Sequence, residues 1–282
     1  MRMNRKYLFN KKTGILFISF INIFVSLLVT SCEKKIDWNL DIQEQDFIIV
    51  EGMITSEKKA HQVKISKPVK NLNDPAVGVS GAIVSINDSI ILTETTSGSG
   101  VYQTASSVSG SPENEYKLKI ISGGKTYTAV ALMKPCNSLS PLRYSKIGGT
   151  NNYKIDWIAG AYNYEKAFMY EITLDWSSSD SCLQGNPCFT LMYYYTLTTI
   201  DVNQIFSPET ERIIFPAGTI ITEKKYSISA EHENFIRCLL IETKWRGGLF
   251  DSSPANIPTN LTGGAKGFFS ACDVIQTIIV VN

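Results

Sequence analysis

Histidine is almost absent from this chain: 282 residues hold two, His61 and His232. A Ser-His-Asp triad or a two-histidine metal site therefore has almost no material. No G-x-S-x-G occurs either. No C-x-x-C pair exists, and no histidine stands near Cys182 or Cys188, which argues against zinc. A Gly-Lys-Thr does occur inside "SGGKTYT" (122–128), but the first glycine of a phosphate loop should stand at 119, which is Lys119. The stretch also lies between two alternating segments, so it reads as a tight hairpin turn. Carboxylates are plentiful, yet nothing singles out a pair with the roles a glycosidase needs. The expectation is a protein that is not an enzyme, with no cofactor and no metal.

Acid is missing from the first 13 residues, which carry Arg2, Arg5, Lys6, Lys11 and Lys12. Gly14 to Val29 follows, apolar except for Ser19, Asn22 and Ser26. This is the basic-then-apolar order of a secretory signal. It closes on "LVTSC", the lipobox order of bacterial lipoproteins, which makes Cys32 the expected lipid-bearing residue. Lipid chains hold a protein on a membrane face without spanning it. A transmembrane anchor would instead need about 20 apolar residues and would tolerate any residue after them. Removing residues 1–31 takes away five of the 27 basic residues and none of the 26 acidic ones, leaving 22 against 26 and a net charge near −4. No general polyanion-binding surface follows from that balance, and nucleic acid is not an expected partner.

Beyond Cys32, five cysteines remain: Cys136, Cys182, Cys188, Cys238 and Cys272. Export permits disulfides. Cys182 and Cys188 bracket the turn sequence "LQGNP", and a bridge there would stabilise by ~2–3 kcal/mol in the chain-entropy account. Cys238 with Cys272 is the second candidate pair, and one thiol must remain.

The rest of the chain is rich in strand signals. Residues 32–45 are polar and aperiodic, a tether. From "DFIIVEGMIT" (46–55) to "KTYTAVA" (125–131), seven short alternating segments separated by Gly, Pro, Asn and Ser turns predict a small β-sandwich over 46–134. Residues 135–282 read as a second β-rich domain. Phe168 to Trp176 and Phe189 to Leu197 alternate as two arms of a long hairpin across the cysteine turn. One helix is expected, with Ser229 as N-cap, Glu231 and Glu233 in the first turn, and Gly247-Gly248 as its stop. Its apolar face should carry Phe235, Cys238, Leu239 and Trp245, with His232 solvated. His61 lies in a polar turn beside two lysines. "DVIQTIIVV" near the end is almost continuously apolar, a strand expected to be central or well covered. In the run Tyr193-Tyr194-Tyr195, alternation puts Tyr194 on the face opposite its neighbours, either packed across strands or exposed as a ligand or partner contact.

The stretch "GGLFDSSPANIPTNLTGGAKGFFSAC" (247–272) combines glycines, prolines and a lysine. Leu249, Phe250, Ile257 and Leu261 give it apolar anchors, and its second glycine cluster precedes a strand, not a helix. It reads as an ordered, fold-closing segment. The same residues resemble the C-terminal signature of the domain of unknown function 4249 family, lipoproteins of Bacteroidota-type bacteria. "IIVEGMIT", "VSGAIVSIND", "GVYQT" and "GGKTYTA" are similar to that family's N-terminal module, itself similar to immunoglobulin-like or carboxypeptidase-regulatory-like sandwiches. The resemblance implies an outer-membrane lipoprotein facing the cell surface, working as an accessory or substrate-capturing partner of a TonB-dependent transporter. The alternative is a stand-alone structural or adhesive module. One departure stands out: the surface-export signal of these bacteria is usually acidic after the cysteine, and "CEKKID" is mixed. Asp88-Ser89-Ile90 resembles their O-glycosylation site, which marks Ser89.

Overall fold

The computed structural model describes residues 47–69, 71, 73–179, 182, 187–205, 212–247 and 256–282. Cys32, Leu249 and Phe250 lie outside the described residues. In chain order the elements are β1 (Ile49–Thr55), β2 (Gln62–Ser66), β3 (Ile83–Ile86), β4 (Ile90–Glu94), β5 (Val101–Gln103), β6 (Glu115–Ser122), β7 (Lys125–Leu132), β8 (Arg143–Lys146), β9 (Asn152–Trp157), β10 (Phe168–Asp175), β11 (Phe189–Thr196), the short α1 (Val202–Ile205), β12 (Ile214–Pro216), β13 (Ile220–Ser227), α2 (Ala230–Glu242), β14 (Lys266–Cys272) and β15 (Val274–Val280). The fold is mainly β with one substantial helix. No described helix is long and apolar enough to cross a membrane.

Eight strands build the first unit in the order β14-β1-β2-β5-β4-β3-β6-β7. Alternation dictates its core: Val50, Ile54, Val63, Ile65, Val84, Ile86, Leu118 and Ile120 are inward and essentially inaccessible. The β6–β7 hairpin turns through Gly123 and Gly124 at φ 55° and 74°, as a tight turn of this kind requires. The "GGKT" sequence is thus a hairpin, not a phosphate loop.

Residues 46–134 supply seven of the eight strands, and the eighth, β14, comes from the far end of the chain. It runs parallel to β1 in seven register pairs from Ile49↔Lys266 to Thr55↔Cys272. Its approach is pinned on the other side by the Ala129↔Leu261 bridge to β7. Asn260 clamps the strand by accepting from the Phe269 N–H at 3.1 Å and donating to the Phe269 carbonyl at 2.7 Å. Gly267 adopts φ 99°, and a Cβ there would stand 2.0 Å from the Val50 oxygen, so only glycine lets the two strands meet. Residues 260–272 therefore close the fold; of the expected anchors Leu261 is buried, whereas Ile257 is exposed and packs into no core. A division of the chain after residue 134 does not describe the topology, because the first sandwich is completed by β14.

The second unit packs the four-stranded sheet β11-β10-β13-β15 on the three-stranded sheet β12-β9-β8. Tyr153, Phe168, Tyr170, Ile172, Leu174, Phe215 and Ile221 fill the space between them. The expected hairpin is present, with β10 and β11 antiparallel from Phe168↔Thr196 to Asp175↔Phe189.

Two expectations need correction. The helix is capped by Ser229, whose side chain accepts from the His232 N–H, but it ends at Glu242, before the glycines. Its buried residues are His232, Glu233, Ile236 and Leu240, while Leu239 is exposed. Polar partners set this face: Glu233 accepts both the N–H and the hydroxyl of Thr198, and His232 stacks on Phe268. The terminal strand β15 is likewise neither central nor covered. It is a sheet edge, with Ile278 and Val280 more than half exposed.

Candidate functional site

Two features stand apart from simple core packing: a polar cavity over a buried lysine, and a bare sheet face. Both follow from alternation along β13. Ile221, Glu223 and Lys225 point into the second core, and Lys224 points out. Adjacent lysines thus have opposite fates. Lys224 reaches Glu57 of the first sandwich at 2.7 Å, and Lys59 also pairs with that carboxylate. The two ammonium groups pull the Glu57 carboxyl down against the desolvation that raises it.

Lys225 is only 6% exposed. Its ammonium donates to Asn137 Oδ1 at 3.2 Å and to the Ser138 carbonyl at 3.0 Å, and sits 3.8 Å from the Phe168 ring centroid. That is cation–π distance. Glu223 is fully buried; Oε2 accepts from the Leu142 N–H at 2.9 Å, and Oε1 has no partner. Burial pushes Glu223 up and Lys225 down, while their mutual attraction opposes both shifts. Beside them Cys136 donates its thiol to the Lys225 carbonyl, and burial lifts that thiol to about 11.

A cavity of about 160 Å³ opens above Lys225. Phe168, Tyr170 and Thr196 line its walls, and Trp157 and Tyr162, 37% and 47% exposed, line it from the surface. Alternation in a strand is normally read as one polar and one apolar face. The charges at 223 and 225 fall on the apolar face, in phase with Ile221, and that phase is the signal that could have revealed the site.

The bare face is the other side of the four-stranded sheet. Cross-strand register puts Phe189, Asp175, Ile220 and Val280 in one row, and Leu191, Thr173, Thr222 and Ile278 in the next. Phe189, Leu191, Tyr193, Ile220, Ile278 and Val280 are each more than a third exposed. The row after that, Tyr193, Glu171, Lys224 and Gln276, is polar and charged, and the one beyond it, with Met169 and Tyr226, is buried beneath the group that contains Ile236, Leu240 and Trp245.

The residues singled out from the sequence do not gather at either feature. Tyr194 does lie opposite Tyr193 and Tyr195, but it faces the second core. Its hydroxyl donates to the Ala159 carbonyl at 2.9 Å, and its ring meets Tyr170 edge-on. Ser89 is exposed in the β3–β4 turn, where Asn87 and Asp88 adopt φ 52° and 55°. Cys182 and Cys188 form a disulfide with Cα atoms 5.6 Å apart. Cys238 and Cys272 do not pair; both are free, as is Cys136. Cys272 instead lies 3.9 Å from His232 Nδ1. Burial raises its thiol to about 12 and lowers the imidazole to about 4, so both groups are neutral and no thiolate forms near pH 7. His232 is therefore buried, not solvated. His61 is buried too: Nδ1 accepts from the Thr55 N–H, which leaves Nε2 to donate to the Val108 carbonyl. Among the described residues no cluster of three His, Cys, Asp or Glu could hold a metal.

The model of the family described as Domain of unknown function (DUF4249) matches residues 33–278. The chain belongs to that family. Among curated proteins none matches it. In this DUF4249 member the matched span runs from just past Cys32 into β15, so both sandwiches and the closing strand β14 fall within it.

Proposed function

We propose that this DUF4249 protein is a non-catalytic outer-membrane lipoprotein, anchored through Cys32, that docks on a TonB-dependent transporter at the cell surface and captures substrate for it. The observation that carries docking is the bare face of the β11-β10-β13-β15 sheet. Six large apolar side chains stand there, Phe189, Leu191 and Tyr193 on the edge strand β11 and Ile220, Ile278 and Val280 on β13 and β15, with Asp175, Thr173 and Thr222 between them. Exposed apolar side chains grouped on one face and set among polar ones are a feature of interaction sites, where singly scattered ones need no explanation. The lipobox order supports anchoring, and the capture role rests on the cavity over Lys225.

The test is co-purification after mild detergent extraction. The wild-type chain is expected to bring the transporter with it. A Leu191→Glu, Ile278→Glu double variant should lose the transporter while keeping its melting temperature, because both side chains are exposed. Cys32→Ala should leave the membrane pellet after a high-salt wash. Recovery of the wild-type protein alone would overturn the docking reading in favour of a stand-alone surface module. A Cys32→Ala protein that stays in the pellet would overturn the anchor.

A further inference from the structure

We propose that the cavity over Lys225 binds a small monocarboxylate, with the carboxylate at the ammonium and the body of the molecule against Trp157 and Tyr162. This deepens the capture half of the reading above, and it is testable on the isolated protein.

The argument is an inventory of unused hydrogen-bonding capacity. Several oxygens around the cavity are already committed, while the hydroxyls of Ser140, Tyr162 and Tyr170, which can give or take a hydrogen bond, also line it. Asn137 Oδ1 and the Ser138 carbonyl accept from Lys225. The Gly160 carbonyl accepts from Thr196 Oγ1 at 2.6 Å, and the Ala159 carbonyl accepts from Tyr194. Asn163 Oδ1 accepts from the N–H groups of Glu165 and Lys166. The amides and the ammonium add donors that cannot accept. The side-chain NH₂ groups of Asn163, half-buried, and of Asn137, exposed at the mouth, have no acceptor among the described residues. The third Lys225 N–H has none either, only the Phe168 ring. An amide whose oxygen is used can offer only its two N–H donors, and an ammonium has no acceptor at all. At the Lys225 end the cavity thus favours oxygen acceptors.

Charge points the same way. No aspartate or glutamate lines the cavity. Lys166 adds a second positive charge near enough to repel Lys225. Glu223 attracts Lys225, but its carboxylate bonds the Leu142 N–H and is not part of the cavity wall. A charge-assisted hydrogen bond from a buried ammonium is roughly twice as strong as a neutral one. Lys225 is the one charged residue in the lining and Glu223 already balances part of its charge, so a monoanion matches it better than a phosphate. Size sets the body of the ligand. The volume of about 160 Å³ is close to that of an engineered cavity known to take benzene. The ligand is therefore a carboxylate on a ring or short chain of about six carbons, with the exposed indole of Trp157 giving that body an apolar wall.

The test uses the purified full chain in a non-ionic detergent and titration calorimetry with three probes: acetate, hexanoate and benzoate. Benzamide, which keeps the shape of benzoate without its charge, is the control. Benzoate or hexanoate should bind saturably, at least tenfold more tightly than acetate, and benzamide should bind at least tenfold more weakly than benzoate. Lys225→Met should abolish the preference for benzoate over benzamide. Since that change falls in a core, Trp157→Leu at the exposed mouth serves as the second variant; it should weaken benzoate at least fivefold with an unchanged melt. No saturable binding of any carboxylate below about 1 mM would overturn the proposal. So would equal binding of benzoate and benzamide, or benzoate binding indifferent to both variants. Loss of transporter co-purification with benzoate binding intact would refute docking alone.

Discussion

Truncating Phe269 tests whether β14 is what closes the first sandwich. Phe269 is fully buried, and its register partner across the parallel ladder is Gly52. The ring lies directly over that glycine: a Cβ at Gly52 would stand 3.1 Å from Phe269 Cδ2. Phe269→Ala therefore leaves a void that Gly52 has no side chain to fill. The backbone cannot easily sink into it either, because Asn260 and the ladder hold β14 from both sides. Truncations of buried aromatics cost about 3–5 kcal/mol, and poor relaxation favours the upper end. In a domain of this size each kcal/mol is worth about 2–4 °C, so the melt should fall by roughly 6–20 °C. Lys266→Ala, on the same strand but exposed, should change stability by no more than about 0.5 kcal/mol. Thermal melts and urea titrations of the chain lacking residues 1–32 compare the two. The urea midpoint should drop for Phe269→Ala with an unchanged slope. A Phe269→Ala melt within about one degree of the parent would refute the reasoning, as would an equal loss in Lys266→Ala.

Thiol titration of the same chain should find three free thiols in denaturant without reductant, from Cys136, Cys238 and Cys272. Five would mean the Cys182–Cys188 bridge is missing, and one would mean that Cys238 and Cys272 are joined. The buried His232 sets a pH dependence. Its folded value, about 4, is depressed by burial below the ordinary 6.5, so its contribution is complete above pH 6.5 and is lost as pH falls toward 4. By linkage the loss reaches up to about 3 kcal/mol. His232→Phe, which keeps a ring against Phe268, should flatten the fall in unfolding free energy between pH 7 and pH 4.5. Parallel curves for the two proteins would refute it.

Alternation made β1 to β7 legible, because each of those strands buries one face against a single core and turns on glycine, asparagine or serine. The β10–β11 hairpin was legible for the same reason. The pairing of β1 with β14 was not: Ile49 and Lys266 are far apart in sequence, and a parallel ladder leaves no local turn to announce it. β15 misled because apolar residues on both faces read as burial, whereas Ile278 and Val280 face solvent. The face of α2 misled in part: Trp245 is buried as expected, but Glu233 and His232 join Ile236 and Leu240 on the inner side because of what they touch. Lys225 was passed over because charges at 223, 224 and 225 look like a solvated stretch until Ile221 and Tyr170 are seen to share the inward side.

The position of β1 has a mechanical meaning. It is the first described strand after the N-terminal segment, so a load from that side enters the fold at Ile49. The strand it enters is gripped on both flanks, by β2 in four register pairs and by β14 in seven. A pull along β1 loads those bonds together, in shear, where a pull across a hairpin would peel them one at a time. Since β14 is held in turn by Asn260 and by the bridge to β7, tension at the start of the chain is shared with its last tenth. A strand held in this way resists tension along its axis, and it would fail by releasing both flanking ladders at once.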